Sequence, residues 1–308
     1  MQTYYVLPDP PFTSPSNLTI GNFDGVHLGH QALIRALIAD ARAAGRQAGV
    51  LTFHPHPAAV LRPNPDHRYL TTIDQRLAVF EQLGLDFAIV YPFSRATAAT
   101  PAREFMAQLH AALNLASLWV GPDFALGRNR EGNVEALRAF GATDGYTVHT
   151  IDPHLLGDGE VRSGRIRNDL LAGDVEGAAE QLGRLYEVDG EVVDGAHRGR
   201  TIGFPTANLD VPADRLVPAN GVYATWATVD GQRHASVTNI GVRPSFDNGQ
   251  RTVETHLLDF QGDLYGQHLI LEFVARLRPE MRFPSVDALR EQIARDVEAA
   301  RGLLQDGP

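Results

Sequence analysis

Two histidines stand on either side of a Leu-Gly pair, at the point where an apolar run gives way to a helical pattern. In the stretch TIGNFDGVHLGHQALI they are His27 and His30. A glycine-rich turn that leads into a helix brings backbone N–H groups and the positive end of the helix dipole to an anion. Two histidine side chains add donors that can hold phosphate oxygens while charge builds up in an in-line displacement. The residues alone leave two alternatives open, a metal site and packing against the helix.

A second stretch with phosphate-binding features lies in the other half of the chain. GRTIGFPTAN holds Gly199 and Gly203, which allow close backbone approach to phosphates, and Thr206 and Asn208, which offer oxygen atoms. The chain contains no lysine, so a phosphate site built from it has to use backbone amides, arginine, hydroxyls and a cation. An ordinary turn that opens a strand is the alternative explanation of PTAN.

Composition excludes several function classes. The 308 residues include no cysteine and no lysine, so all 27 basic residues are arginine, and the formal net charge is -10. These absences exclude disulfides, thiolate metal sites, cysteine nucleophiles, a Walker A lysine and a Schiff base. The net charge argues against bulk binding of nucleic acid, whose phosphates require cationic side chains. No apolar stretch is long enough to cross a bilayer and the N-terminus lacks signal-peptide order, so we expect a cytoplasmic protein without a membrane partner.

The elements that must position these residues differ between the two halves. From Leu18 to about Tyr146, short apolar runs alternate with longer helical ones, which predicts a parallel sheet wrapped by helices, an α/β fold. The predicted helices are QALIRALIADARAAG, TTIDQRLAVFEQLG and TPAREFMAQLHAALN, and the predicted strands include AGVLTFH, DFAIVYPF and LASLWVG. A further helix over 168–184 is expected to break around Gly173.

Beyond Leu185 the pattern changes to short strands between glycine, proline and asparagine turns. Their spacing predicts a small antiparallel β-barrel, closed by a terminal helix for which Ser285 is the expected N-cap. The change of pattern places a domain boundary near 184–188. We therefore expect two domains, residues 1–184 and residues 185–308.

Motifs along nearly the whole chain carry a family resemblance. The HxGH string of His27 and His30 resembles the signature of the nucleotidyltransferase superfamily, and alone it would also suit other adenylyltransferases. LTFHPHPAAVL, VGPDFALGRNREGN, RGRTIGFPTANL, NGVYATWA, NIGVRPSF, VETHLLDFQGDLYG and RLRPEMRFPS then follow the order seen in the bacterial bifunctional riboflavin kinase/FAD synthetase family. The resemblance extends from roughly Thr19 to Arg301.

The resemblance implies a function in two steps. The C-terminal half would phosphorylate riboflavin to FMN with ATP, and the N-terminal half would adenylylate FMN to FAD with a second ATP, releasing pyrophosphate. It implies riboflavin, FMN and ATP as small-molecule partners, and Mg²⁺ as the cation. The sequence does not determine the oligomeric state, and a monomer is compatible with it.

For the N-terminal half, the resemblance implies that His27 and His30 stabilise the phosphate oxygens of ATP. The other ATP-binding positions it implies are Gly21, Asn22, Phe23, Asp24, Gly25, Gly29, Ser163 and Arg167. The FMN or adenine pocket would be lined by His54, Pro55, Pro57, Asp123 and Phe124.

Two positions depart from the family pattern. Gly164 replaces a threonine whose hydroxyl is expected to touch phosphate, with Arg162 and Arg165 as additional charges beside it. Leu126 stands where an aromatic residue is common. Both departures concern adenylyl transfer and leave the kinase half unaffected.

For the C-terminal half, the resemblance makes Glu254 the general base that accepts a proton from the ribityl 5′-hydroxyl. Strand alternation places Glu254 on the face opposite Val253 and Thr255, where a solvated strand glutamate is an equally good interpretation. Magnesium would be bound by Thr206 and Asn208. The implied kinase ATP site comprises Gly199, Gly203, Phe204, Pro205 and Asn208, and the implied flavin site comprises Tyr265, Arg278 and Phe283.

Two further functions stay open at this point. One is a riboflavin kinase with a degenerate adenylyltransferase domain, which the substitution at Gly164 would favour. The other is a non-catalytic regulator that binds flavin or nucleotide on the same folds. A metal-dependent hydrolase is less compatible, because His54 and His56 lack a carboxylate at zincin spacing.

Overall fold

A computed structural model describes residues 1–61, 68–152, 155–156, 159–195, 202–242 and 251–305. The chain packs as two units, Met1–Arg162 and Ser163–Pro308, called here the first and the second unit. The predicted boundary near 184 lies two helices later, because residues 163–182 pack with the barrel. The division of function at 184 stays a prediction.

A six-stranded parallel sheet forms the centre of the first unit, in the order β1-β4-β3-β2-β5-β8. Apolar side chains fill β3 and β4, as expected of strands covered on both faces. The strands are β1 (Gln2–Tyr4), β2 (Ser16–Gly21), β3 (Gln47–His54), β4 (Phe87–Pro92), β5 (Leu115–Val120) and β8 (Thr147–Thr150). Short strand pairs add β6 (Ala125–Leu126) with β7 (Gly132–Asn133), and β9 (Leu155–Leu156) with β10 (Gly159–Glu160).

Helices cover both faces of this sheet. Their apolar stripes bury residues such as Ile34 and Leu37 of α1, and a capping box between Thr72 and Gln75 starts α3. The helices are α1 (Leu28–Ala43), α2 (Pro57–Leu61), α3 (Ile73–Leu83), α4 (Arg95–Ala99), α5 (Ala102–Leu113) and α6 (Val134–Asp144). The predicted sheet and helices are confirmed, whereas β1, β8 and α6 were not individually predicted.

The strand order reverses between β2 and β5. From β2 the chain proceeds through β3 and β4 in one direction, and β5 then returns to the other side of β2. In open α/β sheets, ligands bind at such a switch point, beyond the carboxyl ends of the strands. The turn after β2 and the loop after β5 are therefore the expected walls of a binding site.

The second unit begins with α7 (Ser163–Ala172) and α8 (Val175–Leu182), which separate at the left-handed Gly173 as predicted. A closed antiparallel barrel follows, in the order β11-β12-β15-β14-β13-β16. Its strands are β11 (Tyr186–Val193), β12 (Ala207–Asp210), β13 (Gly221–Val229), β14 (Gln232–Val242), β15 (Arg251–Leu257) and β16 (His268–Arg278). The predicted barrel is confirmed.

The terminal helix α9 (Val286–Leu304) covers one outer face of the barrel. The side chain of Ser285 caps it as predicted, by accepting a hydrogen bond from the Ala288 N–H at 3.1 Å. Ala300 and Leu304 pack on Val222 and Val237. Across the described ranges, every helix is too short or too polar to cross a membrane.

Candidate active sites

The turn between β2 and α1 places both sequence-predicted histidines at a helix N-terminus. His27 is the N-cap of α1, and its Nδ1 accepts a hydrogen bond from the backbone N–H of His30 at 3.4 Å. An Nδ1 that accepts is unprotonated, so a neutral His27 carries its proton on Nε2. Phe23 and Val26 adopt left-handed backbone conformations in the same turn, with Gly25 between them. Such strain is typical of ligand-binding turns.

The two histidine rings are stacked, with their centroids 3.6 Å apart and their planes at 18°. Phe23 packs edge-on against His30, with the two ring centroids 5.0 Å apart, and so restricts the His30 ring further. Burial lowers the pKa of His30 well below 6.5, and the charges of His27 and Arg76 lower it further. His30 is therefore neutral at pH 7. Its Nδ1 is buried and has no hydrogen-bond partner among the described residues.

Asp24 shapes this turn as a buried anchor. Its carboxylate is 2% exposed and accepts hydrogen bonds from the backbone N–H groups of Leu70 and Thr71 at 3.0–3.1 Å. Thr71 also accepts a hydrogen bond from the Gly25 N–H at 3.0 Å. Asp24 thus shapes the turn, and its predicted contribution to ATP binding stays a prediction.

A cavity of about 580 Å³ lies at the carboxyl edge of the first unit's sheet, a size typical of ligand pockets. Its walls come from the ends of β2 and β3, from α4 and from the loop after β5, as the switch point requires. Predicted site residues in its lining are Gly21, Asn22, Pro57, Asp123 and Phe124. Other lining residues include Phe53, Phe93, Phe105, Leu126, Asn129 and Arg130.

Several predicted positions of the first half lie outside that lining. His54 and Pro55 are exposed beyond the end of β3, next to Tyr69, whose ring centre lies 6.2 Å from that of His54. Ser163 and Arg167 lie on α7 and belong to the second unit. Their predicted roles stay predictions. A Cβ added to Gly164 would meet no heavy atom within 4 Å, so packing does not require glycine there.

In the second unit, Glu254 stands between two asparagines on the outer face of the barrel. The strand register pairs it with Asn208 of β12 on one side and with Asn239 of β14 on the other. Val253 and Thr255 point into the barrel and are buried, which confirms the predicted alternation. This row of a carboxylate and two amides can hold a hydroxyl group and orient it for proton transfer.

A cavity of about 330 Å³ lies beneath α9, and Glu254 and Asn239 of this row line it, whereas Asn208 lies outside its lining. Leu289 and Ile293 of α9 supply apolar lining above it. The predicted residues in the lining are Phe204, Thr206, Glu254, Arg278 and Phe283. The lining therefore brings together six separate segments of the sequence, 202–206, 222, 237–239, 254–256, 278–283 and 289–296.

A smaller cavity of about 80 Å³ lies on the other side of Thr206. Pro205 and Tyr265, both predicted, line it together with Asp263 and Leu264. Thr206 lines both cavities. Gly203 has a left-handed backbone and open space where a Cβ would stand. Gly199, also predicted, lies outside the described residues.

Arg278 lines the larger cavity and is also engaged by Asp296 of α9. Its Nε donates to both carboxylate oxygens at 3.0 Å, and its Nη2 donates to Oδ2 at 2.8 Å. Gln292 adds a further hydrogen bond to Asp296 at 2.9 Å. The guanidinium also lies over the Phe283 ring, 5.6 Å from its centroid. Arg278 thus holds α9 and Phe283 over the cavity, whatever it contributes to a flavin.

The donor set around Thr206 and Asn208 suits magnesium carried by a nucleotide. Within the described parts of the chain, no cluster of three histidine or acidic side chains forms a cage for a resident metal. Mg²⁺ commonly keeps several waters and takes one or two protein oxygens besides the phosphates of its substrate. A hydroxyl and an amide oxygen, with the Glu254 carboxylate next along the sheet, fit that pattern.

The sequence did not single out three groups of site residues. Asn239 was quoted only as part of NIGVRPSF, and no spacing rule connects it to Glu254 fifteen residues later across a hairpin. Phe53, Phe93 and Phe105 resemble core residues in the sequence because they stand in apolar runs. Arg76 resembles a solvated helix residue, yet it is 1% exposed.

Two family models match the chain. The model described as FAD synthetase matches residues 9–165, and the one described as riboflavin kinase matches residues 182–304. Curated relatives from Pseudomonas fluorescens (38% identical) and Escherichia coli strain K12 (37%) are named bifunctional riboflavin kinase/FMN adenylyltransferase. Each alignment covers 92% of this chain, and 92% and 91% of those relatives.

A solved structure shares the architecture of both units. A crystal structure described as a macrolide-efflux protein from Streptococcus pneumoniae superposes with a TM-score of 0.90 at 31% identity. The match covers 97% of this chain and 98% of that one.

Proposed function

The chain belongs to the bifunctional riboflavin kinase/FMN adenylyltransferase family, and we propose that its second unit makes FMN and its first unit converts FMN to FAD. Both reactions consume ATP. The observation that carries this division is that each unit holds its own ligand-sized cavity, of about 330 and 580 Å³. Each cavity is lined by residues that the motifs of the corresponding reaction contain.

In the kinase reaction, Glu254 accepts the proton of the ribityl 5′-hydroxyl as that oxygen attacks the γ-phosphorus of ATP. The bond from the γ-phosphorus to the bridging oxygen breaks, and ADP leaves. Asn208 and Asn239 flank the carboxylate in register and orient it. Thr206 and Asn208 would hold magnesium, which neutralises charge on the transferring phosphoryl group when bound.

In the adenylyl transfer, a phosphate oxygen of FMN attacks the α-phosphorus of ATP and pyrophosphate leaves. No proton has to be removed from the attacking phosphate, so the protein's contribution is positioning and charge stabilisation. His27, as the N-cap of α1, and the N-terminus of that helix would hold the phosphate oxygens. His30, neutral and stacked on His27, offers a second ring to the same oxygens.

The isoalloxazine ring of FMN fits the aromatic wall of the first cavity. Phe53 lies at its centre, with ring centroids 5.4 Å from Phe93 and 6.4 Å from Phe105. Phe124 faces the same space from the loop after β5. Leu126 contributes apolar contact there without a stacking face.

The proposed function is tested by following flavins over time in a mixture of protein, riboflavin, ATP and magnesium. We expect FMN to form first and FAD to follow. Glu254→Gln should abolish FMN formation and leave the conversion of supplied FMN to FAD unchanged. Glu191→Gln makes the same change on an exposed barrel strand and should alter neither step.

Two other results would assign a different function. FMN accumulating without FAD would indicate a kinase whose first unit has lost activity. Flavin binding without any product would indicate a regulator. The cytoplasm stays the proposed compartment because both steps require ATP.

A further inference from the structure

Arg76 of α3 is a buried arginine that has no role in the proposed reaction of the first unit. Its side chain is 1% exposed, and it faces the buried Asp24 with Nη2 and Oδ1 3.6 Å apart. Its Nε donates to Thr71 Oγ1 and its Nη2 to the Thr71 carbonyl, both at 3.2 Å. Burying an arginine costs desolvation free energy. Here the carboxylate of Asp24 and the two acceptors of Thr71 offset most of that cost.

The remaining donor of Arg76 reaches the start of that turn. Its Nη1 donates to the Asn22 carbonyl at 2.9 Å, and Thr52 Oγ1 donates to the same carbonyl at 2.9 Å. Asn22 is the first residue after β2, and its neighbour Gly21 ends that strand. Both residues line the 580 Å³ cavity. The carbonyl is thus fixed by two donors from different elements, α3 and β3.

From Asn22 the chain takes only five residues to reach His27. Within those five, Phe23 and Val26 hold left-handed conformations that an isolated peptide would avoid. Asp24, itself paired with Arg76, closes the middle of the turn against Leu70 and Thr71. Arg76 therefore contacts the beginning and the middle of the strained segment, and the cavity wall and the histidines lie at its two ends.

We propose that Arg76 is a positioning residue for adenylyl transfer. It holds the β2–α1 turn so that His27 and His30 meet the phosphates of ATP while Gly21 and Asn22 form the adjoining cavity wall. It touches neither substrate. The inference rests on the proposed function, because it presumes that the first unit converts FMN to FAD. This positioning requires a guanidinium group, because its separate N–H donors reach Asn22, Thr71 and Asp24 at the same time. The ammonium group of a lysine carries its donors on one nitrogen and cannot reach all three.

The test measures both reactions in one molecule. Arg76→Met keeps much of the side chain's volume and removes all of its donors, and Arg76→Lys keeps the charge. Arg42→Met is the matched control, because Arg42 forms a bidentate pair with Asp86 in the same unit without touching the turn. Folding of the first unit is followed by Trp119 fluorescence in a Trp226→Phe background, since the chain has two tryptophans.

We expect Arg76→Met to lower kcat for FAD formation by about 100-fold at a temperature where Trp119 reports a folded unit, because small misplacements of reacting groups carry losses of this order. The kcat of Arg76→Lys for FAD formation should be about tenfold higher than that of Arg76→Met. FMN formation from riboflavin should stay at the wild-type rate in all variants. Arg42→Met should keep the wild-type kcat for both reactions.

Thr52→Val keeps the test decisive if Arg76→Met fails to fold. It removes the other donor to the Asn22 carbonyl with little change of shape, and we expect it to lower kcat for FAD formation by about tenfold. Wild-type kcat in folded Arg76→Met, or in Thr52→Val when the methionine variant is unfolded, would overturn the inference. A wild-type protein that forms no FAD would instead contradict the proposed function.

Discussion

Removing the carboxylate of Asp296 tests how α9 is held over the kinase cavity. The side chains of Arg278 and Asp296 are only 14% and 6% exposed, and four hydrogen bonds converge on the carboxylate. Asp296→Ala leaves the guanidinium of Arg278 and the amide of Gln292 without this acceptor. Breaking a buried pair in this way costs about 3–5 kcal/mol.

Because Arg278 retains some contact with water, we expect the lower end of that range, about 3 kcal/mol. In a unit of this size, such a loss lowers the Tm by about 6–12 °C. The apolar contacts of Ala300 and Leu304 remain, so α9 should stay attached while its N-terminal half loosens over the cavity. The KM for riboflavin should therefore rise, and FAD formation from supplied FMN should not change.

The assay is thermal unfolding of the second unit, followed by Trp226 fluorescence in a Trp119→Phe background. Asp259→Ala is the control, because Asp259 forms the same bidentate pair with Arg301 of α9 but is 73% exposed. Exposed pairs contribute little, so its Tm should match the wild type. Equal Tm changes in both variants would refute the argument that burial determines the contribution of the pair.

Three further predictions concern residues assigned to adenylyl transfer, two of them in the first unit and one on α7 of the second unit. The pKa of His30 is lower in the folded protein than in the unfolded chain, so the unfolded chain takes up the proton first as the pH falls. The free energy of unfolding should therefore decrease as the pH drops below about 6.5, and in urea unfolding His30→Gln should show a smaller decrease than the wild type. The same pH dependence in both proteins would contradict this prediction. Phe53→Ala should raise the KM for FMN and leave riboflavin phosphorylation unchanged in steady-state assays. Gly164→Thr, which has open space for its side chain, should fold normally and increase the rate of FAD formation, and an unchanged rate would contradict the phosphate contact.

The fold was largely predictable because each half has one strong periodicity. Alternating strands and helices determine a parallel sheet, and regularly spaced short strands determine a barrel. Helix α6 was missed because VEALRAFGATD contains an internal glycine and no long apolar face. Strand β12 was considered only as the strand that an ordinary turn at PTAN would open, because it has four residues and begins directly after Pro205 and Thr206.

The candidate sites were predictable to the extent that they lie in continuous motifs. His27, His30 and Glu254 stand in such motifs, and their strand or helix positions follow from local pattern alone. Arg76 and Asn239 act through register and packing between distant segments, which a single sequence does not show. Arg278 was predicted as a flavin contact, and its partnership with Asp296 of α9 depends on how the terminal helix docks.

The central claim is that the two reactions have separate sites in one chain. Its most direct test is to mix Glu254→Gln and His30→Gln, each of which alone should fail to convert riboflavin to FAD. We expect the mixture to restore FAD formation, because the second variant supplies FMN by its intact kinase site and the first adenylylates it. FAD formation by either variant alone, or none by the mixture, would contradict the account.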